Sequence, residues 1–163
     1  RCIDVVVYFE AIYDLQSAED FGVDCGRDIR AGGNVLVATA NKDLYDFNPS
    51  PHSHSYYGVV ELRELFASHG FDAEFYGNTL LSGVTLRQRL LRPIKKMAVD
   101  LGIMPRTSKG KVFLKRLVFG KMAKMPAEIE EGMISYVEPQ GISPSEPDRR
   151  HKVIYCIATL NRT

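Results

Sequence analysis

Ile3-Asp4-Val5-Val6-Val7-Tyr8-Phe9 is a nearly unbroken apolar run. A strand covered on both faces has no reason to alternate polar with apolar residues, so the run predicts a central strand of a parallel sheet. A central strand needs a neighbour on each side, and the residues after it supply one side only. The run therefore reads as an inner strand in the second half of an α/β domain, with earlier strands expected upstream of Arg1.

Downstream, Ser17-Ala18-Glu19-Asp20 supplies a helix N-cap with an acidic residue three positions on. Phe21, Cys25 and Ile29 recur at helical spacing, and Ala31-Gly32-Gly33 is expected to end that helix. Asn34 to Ala40, N-V-L-V-A-T-A, is a second apolar strand, completing a βαβ unit. A polar loop runs from Asn41 to Ser55, rich in Pro, Asn and Ser. Tyr57 to His69 reads as an amphipathic helix with Val59, Leu62, Leu65 and Phe66 on one face, closed by Gly70. Phe71 to Tyr76 alternates as a half-exposed strand does, Pro139 to Pro147 reads as a loop, and Lys152 to Leu160 is again strand-like.

Between the last two strands lies a segment of different charge. Residues 85 to 124 carry twelve lysines and arginines against one acid (12 − 1 = +11), leaving −10 for the rest of a chain whose net charge is +1. Leu86, Leu90, Ile94, Met97 and Leu101 fall on one face of a basic amphipathic helix. The domain reading is accordingly 1–79 for the sheet domain, 80–150 for a basic helical insert, and 151–163 for the last strand. The insert admits three roles: a solvated cap, a peripheral contact with an anionic membrane, or a holder of an anionic substrate. Nucleic acid is disfavoured, because the aromatic residues form no stacking platform. Three widely spaced cysteines without metal spacing, and no stretch of membrane-spanning length, suit a reduced cytoplasmic protein.

The strand ends and the segments after them resemble the class I S-adenosylmethionine-dependent methyltransferases. The resemblance rests on Y-F-E-A-I-Y-D-L (Tyr8 to Leu15), R-A-G-G-N-V-L-V-A-T-A-N (Arg30 to Asn41), and E-L-R-E-L-F before H-G-F (Glu61 to Phe71). It covers Ile3 to Tyr76 and, more loosely, the final strand. It implies a Rossmann-like methyltransferase sheet represented by its last four strands, the final pair antiparallel. The implied activity is transfer of a methyl group from S-adenosyl-L-methionine to a small-molecule or glycan acceptor, an oxygen rather than a nitrogen. The family's glycine-rich cofactor loop has no counterpart, since no G-x-G occurs in the chain. An inactive fragment or accessory module is the non-enzymatic alternative, and a nicotinamide-dependent oxidoreductase the other enzymatic one.

By this resemblance Phe9, Glu10 and Ala11 lie closest to the cofactor, as the first residues past a strand's carboxyl end. Glu10 and Asp14, four apart, would share a face of a helical turn, where one carboxylate can act as a base. The plainer reading is a carboxylate favoured by a helix start. His52 and His54 in P-S-P-H-S-H-S are the other candidate bases, against the plain alternative of exposed loop histidines. Asn41, Lys42, Tyr56 and Tyr57 are the expected substrate contacts, on a loop held by a rigid sheet. No metal site is expected. His69 is assigned to a helix end and His151 to a strand edge.

Overall fold

A computed structural model describes residues 2–80, 93, 97, 127–128, 130–133 and 135–161. The chain divides into two compact units, Arg1–Ser82 with Glu138–Thr163, and Gly83–Val137. The basic amphipathic helix expected over 85–124 lies outside the described residues, apart from Pro93 and Met97, which are helical and exposed.

The first unit is mixed α/β. Its elements are β1 (Ile3–Phe9), α1 (Ala18–Asp28), β2 (Ile29–Ala40), α2 (Val59–Ser68), β3 (Phe71–Leu80), β4 (Gln140–Ile142) and β5 (His151–Leu160), with a 3-10 turn at Ile12–Asp14. The strands form one sheet in the order β1-β2-β5-β3-β4. β1 and β2 are parallel, and β5 inserts antiparallel between β2 and β3. The two long strands that end the unit, β3 and β5, thus pair antiparallel.

Register explains the layering. Val6, Val35, Ala158 and Ala73 stand in one row, and Tyr8, Val37, Cys156 and Phe75 in the next. These rows share a face, since side chains alternate across a strand, and they join Leu62, Leu65 and Phe66 of α2 and Cys25 of α1 in the core. The opposite face carries Val7, Leu36, Ile157 and Glu74 in one row and Phe9, Ala38, Tyr155 and Tyr76 in another.

β1 departs from the expectation of a strand buried on both faces. Its one partner among the described residues is β2, and Val5, Val7 and Phe9 are 47%, 55% and 56% exposed.

α1 begins as its sequence dictates, the Ser17 hydroxyl accepting the Asp20 N–H at 3.1 Å. It stops at Asp28, three residues before the expected glycine stop, and Ile29 opens β2 instead. The pairing register shifts between Ile3 and Val5, where Gly32 adopts φ +72°, so the A-G-G stretch makes an irregularity in the sheet. α2 starts at Val59, two residues later than expected. The Glu61 carboxylate accepts the Gly58 N–H at 2.9 Å, and Asp43 accepts the Val59 N–H at 3.3 Å. Two side chains thus satisfy donors a helix start leaves open. A Cβ on Gly58 would lie 2.4 Å from that Asp43 carboxylate, so any larger residue would have to displace Asp43 from its bond to Val59. β4, three residues inside the stretch read as loop and insert, pairs with Phe75 to Gly77 of β3.

Candidate functional site

The carboxyl ends of the parallel pair meet where Phe9 stands opposite Ala38. Glu10 donates its N–H to the Ala38 carbonyl at 2.7 Å and turns the chain out of the sheet with φ +52°. A non-glycine residue in that region stores strain of order 1–3 kcal/mol, and such residues concentrate at functional sites. The next turn is a 3-10 turn of three residues, so Glu10 is not helical and the shared helical face expected for Glu10 and Asp14 does not form. Asp14 is exposed on that turn.

Glu10 engages Tyr13 instead, whose hydroxyl donates to Glu10 Oε2 at 3.1 Å. Burial, then the bond to Glu10 and its charge, push the Tyr13 hydroxyl up to about 12. The loop after β2 folds back onto this turn. His54 and Ser55 donate their N–H groups to the Tyr13 carbonyl at 2.7 and 3.3 Å, and Tyr56 stacks on the Tyr13 ring with centroids 4.7 Å apart. Phe47 meets Tyr56 edge-on at 4.8 Å. His52 and His54 are exposed on the same loop. Of the expected catalytic groups, Glu10, Asp14 and His54 are therefore brought to one turn, His54 through its backbone, while His52 stays on the loop.

Asn41 and Lys42 part company. Asn41 is 1% exposed, its amide donating to the Asp148 and His151 carbonyls, each at 2.8 Å, and to Asp148 Oδ2 at 3.1 Å. Its own side-chain oxygen accepts the Asp43 N–H at 2.9 Å, so both ends of the Asn41 amide are used within the fold. Asp148 also accepts the His151 N–H at 2.9 Å and faces His151 Nδ1 at 3.1 Å. His151, read from sequence as a strand-edge residue, is fully buried because β5 is an inner strand. Its Nε2 has no hydrogen-bond partner among the described residues. Neither Asp148 nor His151 stands out in the sequence; the only signal is the step from a polar, proline-rich stretch into an apolar strand.

Lys42 faces outward into a cleft of about 450 Å³, bounded by Tyr56 and Tyr57, by α2 through Glu61 and Glu64, and by Glu19 of α1. Its ammonium sits 2.5 Å from Glu61 Oε1. Burial tends to raise the Glu61 carboxyl, but the Lys42 and Gly58 donors outweigh it and hold the group below the usual range. Burial raises the Tyr57 hydroxyl. Among the described residues no cluster of three or more His, Cys, Asp or Glu is placed to hold a metal, and no helix is long and apolar enough to cross a membrane.

No protein-family model matches the chain, and no curated protein matches it.

Proposed function

We propose that this unit contributes half of a site for methyl transfer from S-adenosyl-L-methionine to an acceptor oxygen of a small molecule or glycan. The observation that carries the reading is the pair of parallel strand ends at Phe9 and Ala38, with Glu10 strained out of the sheet between them. Ligands of open α/β sheets bind outside the carboxyl ends of the strands. The antiparallel β3–β5 pair agrees with the sheet that the sequence resemblance implies.

The residues present suit part of the cofactor. S-adenosyl-L-methionine supplies an electrophilic methyl on a cationic sulfonium, and a cation is favoured by an aromatic ring and a carboxylate. Phe9 and Glu10 offer both at the strand end, each exposed. The glycine-rich cradle for the rest of the cofactor has no counterpart in these 163 residues, which contain no G-x-G. Tyr13 holds the Glu10 carboxylate, and the His54 and Ser55 amides hold Tyr13. These contacts fix the Glu10 carboxylate at the strand end, and alignment of the reacting groups supplies much of the rate in such transfers.

Isothermal titration with S-adenosyl-L-methionine tests the reading on this chain and on a form extended upstream. The extended form is expected to bind, and Glu10→Gln to weaken that binding. An extended form that ignores the cofactor sinks the proposal.

A further inference from the structure

We propose that the cleft beside Lys42 binds a sugar ring with free hydroxyl and amino groups, and excludes phosphorylated or carboxylated sugars. The volume of about 450 Å³ falls within the range of small-molecule sites. Tyr56, Tyr57 and Leu65 give it apolar wall, against which the C–H face of a sugar packs; hydroxyl and carboxylate oxygens at the rim accept hydrogen bonds from the ring substituents.

Charge decides the class. The lining holds three carboxylates, Glu19, Glu61 and Glu64, and one ammonium, Lys42 (1 − 3 = −2). Lys42 is already committed to Glu61, whose other oxygen takes the Gly58 N–H. Glu19 lies 3.6 Å from His69 Nε2, and Glu64 lies 3.4 Å from Arg63 of its own helix. Both carboxylates are well exposed and keep oxygens for a ligand. His69 sets its Nδ1 against the Leu65 carbonyl at 2.8 Å and the Ser68 hydroxyl at 3.0 Å, and is not itself part of the lining. An incoming phosphate would meet two carboxylates and no uncommitted ammonium of the lining, a like-charge contact that discriminates strongly. An ammonium or a hydroxyl donor meets acceptors.

Tyr56 links the cleft to the strand ends, since its ring also stacks on Tyr13. That the sugar is the methyl acceptor rests on the reaction proposed above; that it binds here does not.

The test is a heteronuclear NMR titration of the 163-residue chain, without cofactor, using glucosamine, glucose and glucosamine 6-phosphate. Glucosamine is expected to shift the amides of residues 55–65, and the 6-phosphate to bind at least about tenfold more weakly. Glu19→Gln with Glu64→Gln should weaken glucosamine about tenfold while leaving glucose within about twofold. Lys42→Met should tighten glucosamine, the opposite of what an anion site predicts. Equal or tighter binding of the 6-phosphate, or no shift of those amides by any of the three sugars, overturns the assignment. Sugar binding lost while an extended form still binds S-adenosyl-L-methionine removes this inference alone. The converse result removes the proposed reaction alone.

Discussion

Asp148 is the anchor of the buried polar cluster, and Asp148→Ala measures what that cluster contributes. The carboxylate accepts three hydrogen bonds, from the His151 N–H at 2.9 Å, His151 Nδ1 at 3.1 Å and the Asn41 amide at 3.1 Å. Truncation leaves the two His151 donors without acceptors in a site where His151 is fully buried. The Asn41 amide keeps the Asp148 and His151 carbonyls and loses little. Each orphaned buried donor costs about 1–3 kcal/mol, partly offset because a buried carboxylate no longer has to be desolvated. The expected loss is about 3 kcal/mol. For a chain of this size it corresponds to a fall in Tm of about 6–12 °C. Urea unfolding followed by circular dichroism gives the number directly, provided the slope with denaturant is unchanged. A loss below about 1 kcal/mol would refute the reasoning, because it would mean that water or a rotated imidazole satisfies both donors at no cost.

Local geometry sets two further outcomes. Gly77→Ala would place a Cβ 2.3 Å from the His151 ring, and this overpacking should cost about 1–3 kcal/mol in the same urea assay. The difference in tyrosinate absorbance titration between the parent chain and its Tyr13→Phe variant should find Tyr13 ionising near 12, and Glu10→Gln should bring it down. Because folding raises this group above its ordinary value of 10.0, the folded state holds the proton more tightly. Its contribution to stability is complete below pH 10 and is lost as pH rises from 10 to 12. The Glu10→Gln protein should lose less stability across that interval.

The surroundings of Asp148 show how far sequence reading reaches. Local signals placed most elements within a few residues: Ser17 caps α1, the face of Val59, Leu62, Leu65 and Phe66 packs α2, and alternation over Phe71 to Tyr76 marks β3. They failed where two local preferences compete. Ile29 continues the apolar spacing of α1 and its N–H still reaches the Cys25 carbonyl, yet its own backbone is extended (φ −77°, ψ 138°) and it pairs with Ile3 as the first residue of β2. The Glu10–Asp14 spacing suggested a helical face, but Glu10 donates to Ala38 and leaves the sheet at φ +52°, so the turn that follows includes only Ile12–Asp14.

Composition and spacing alone determined that the first unit is mixed α/β, with α1 and α2 against its sheet, because burial of apolar side chains enforces the periods of 2 and 3.6. The family resemblance put the strand-end residues Phe9 to Ala11 forward as functional candidates, and the polar loop from Asn41 to Tyr57 was added because functional groups concentrate on loops held by a sheet. Only the tertiary structure decided which of these meet. Tyr13 came to hold Glu10, Asn41 was withdrawn into the core, and His151 joined Asp148 and Asn41 across more than a hundred residues of chain. Strand order decides those partners, and β5 inserting between β2 and β3 is a long-range pairing that no local window of sequence encodes. The opening run obeyed the same rule: its apolar character was written in the residues, and its parallel pairing with β2 was decided by the tertiary structure.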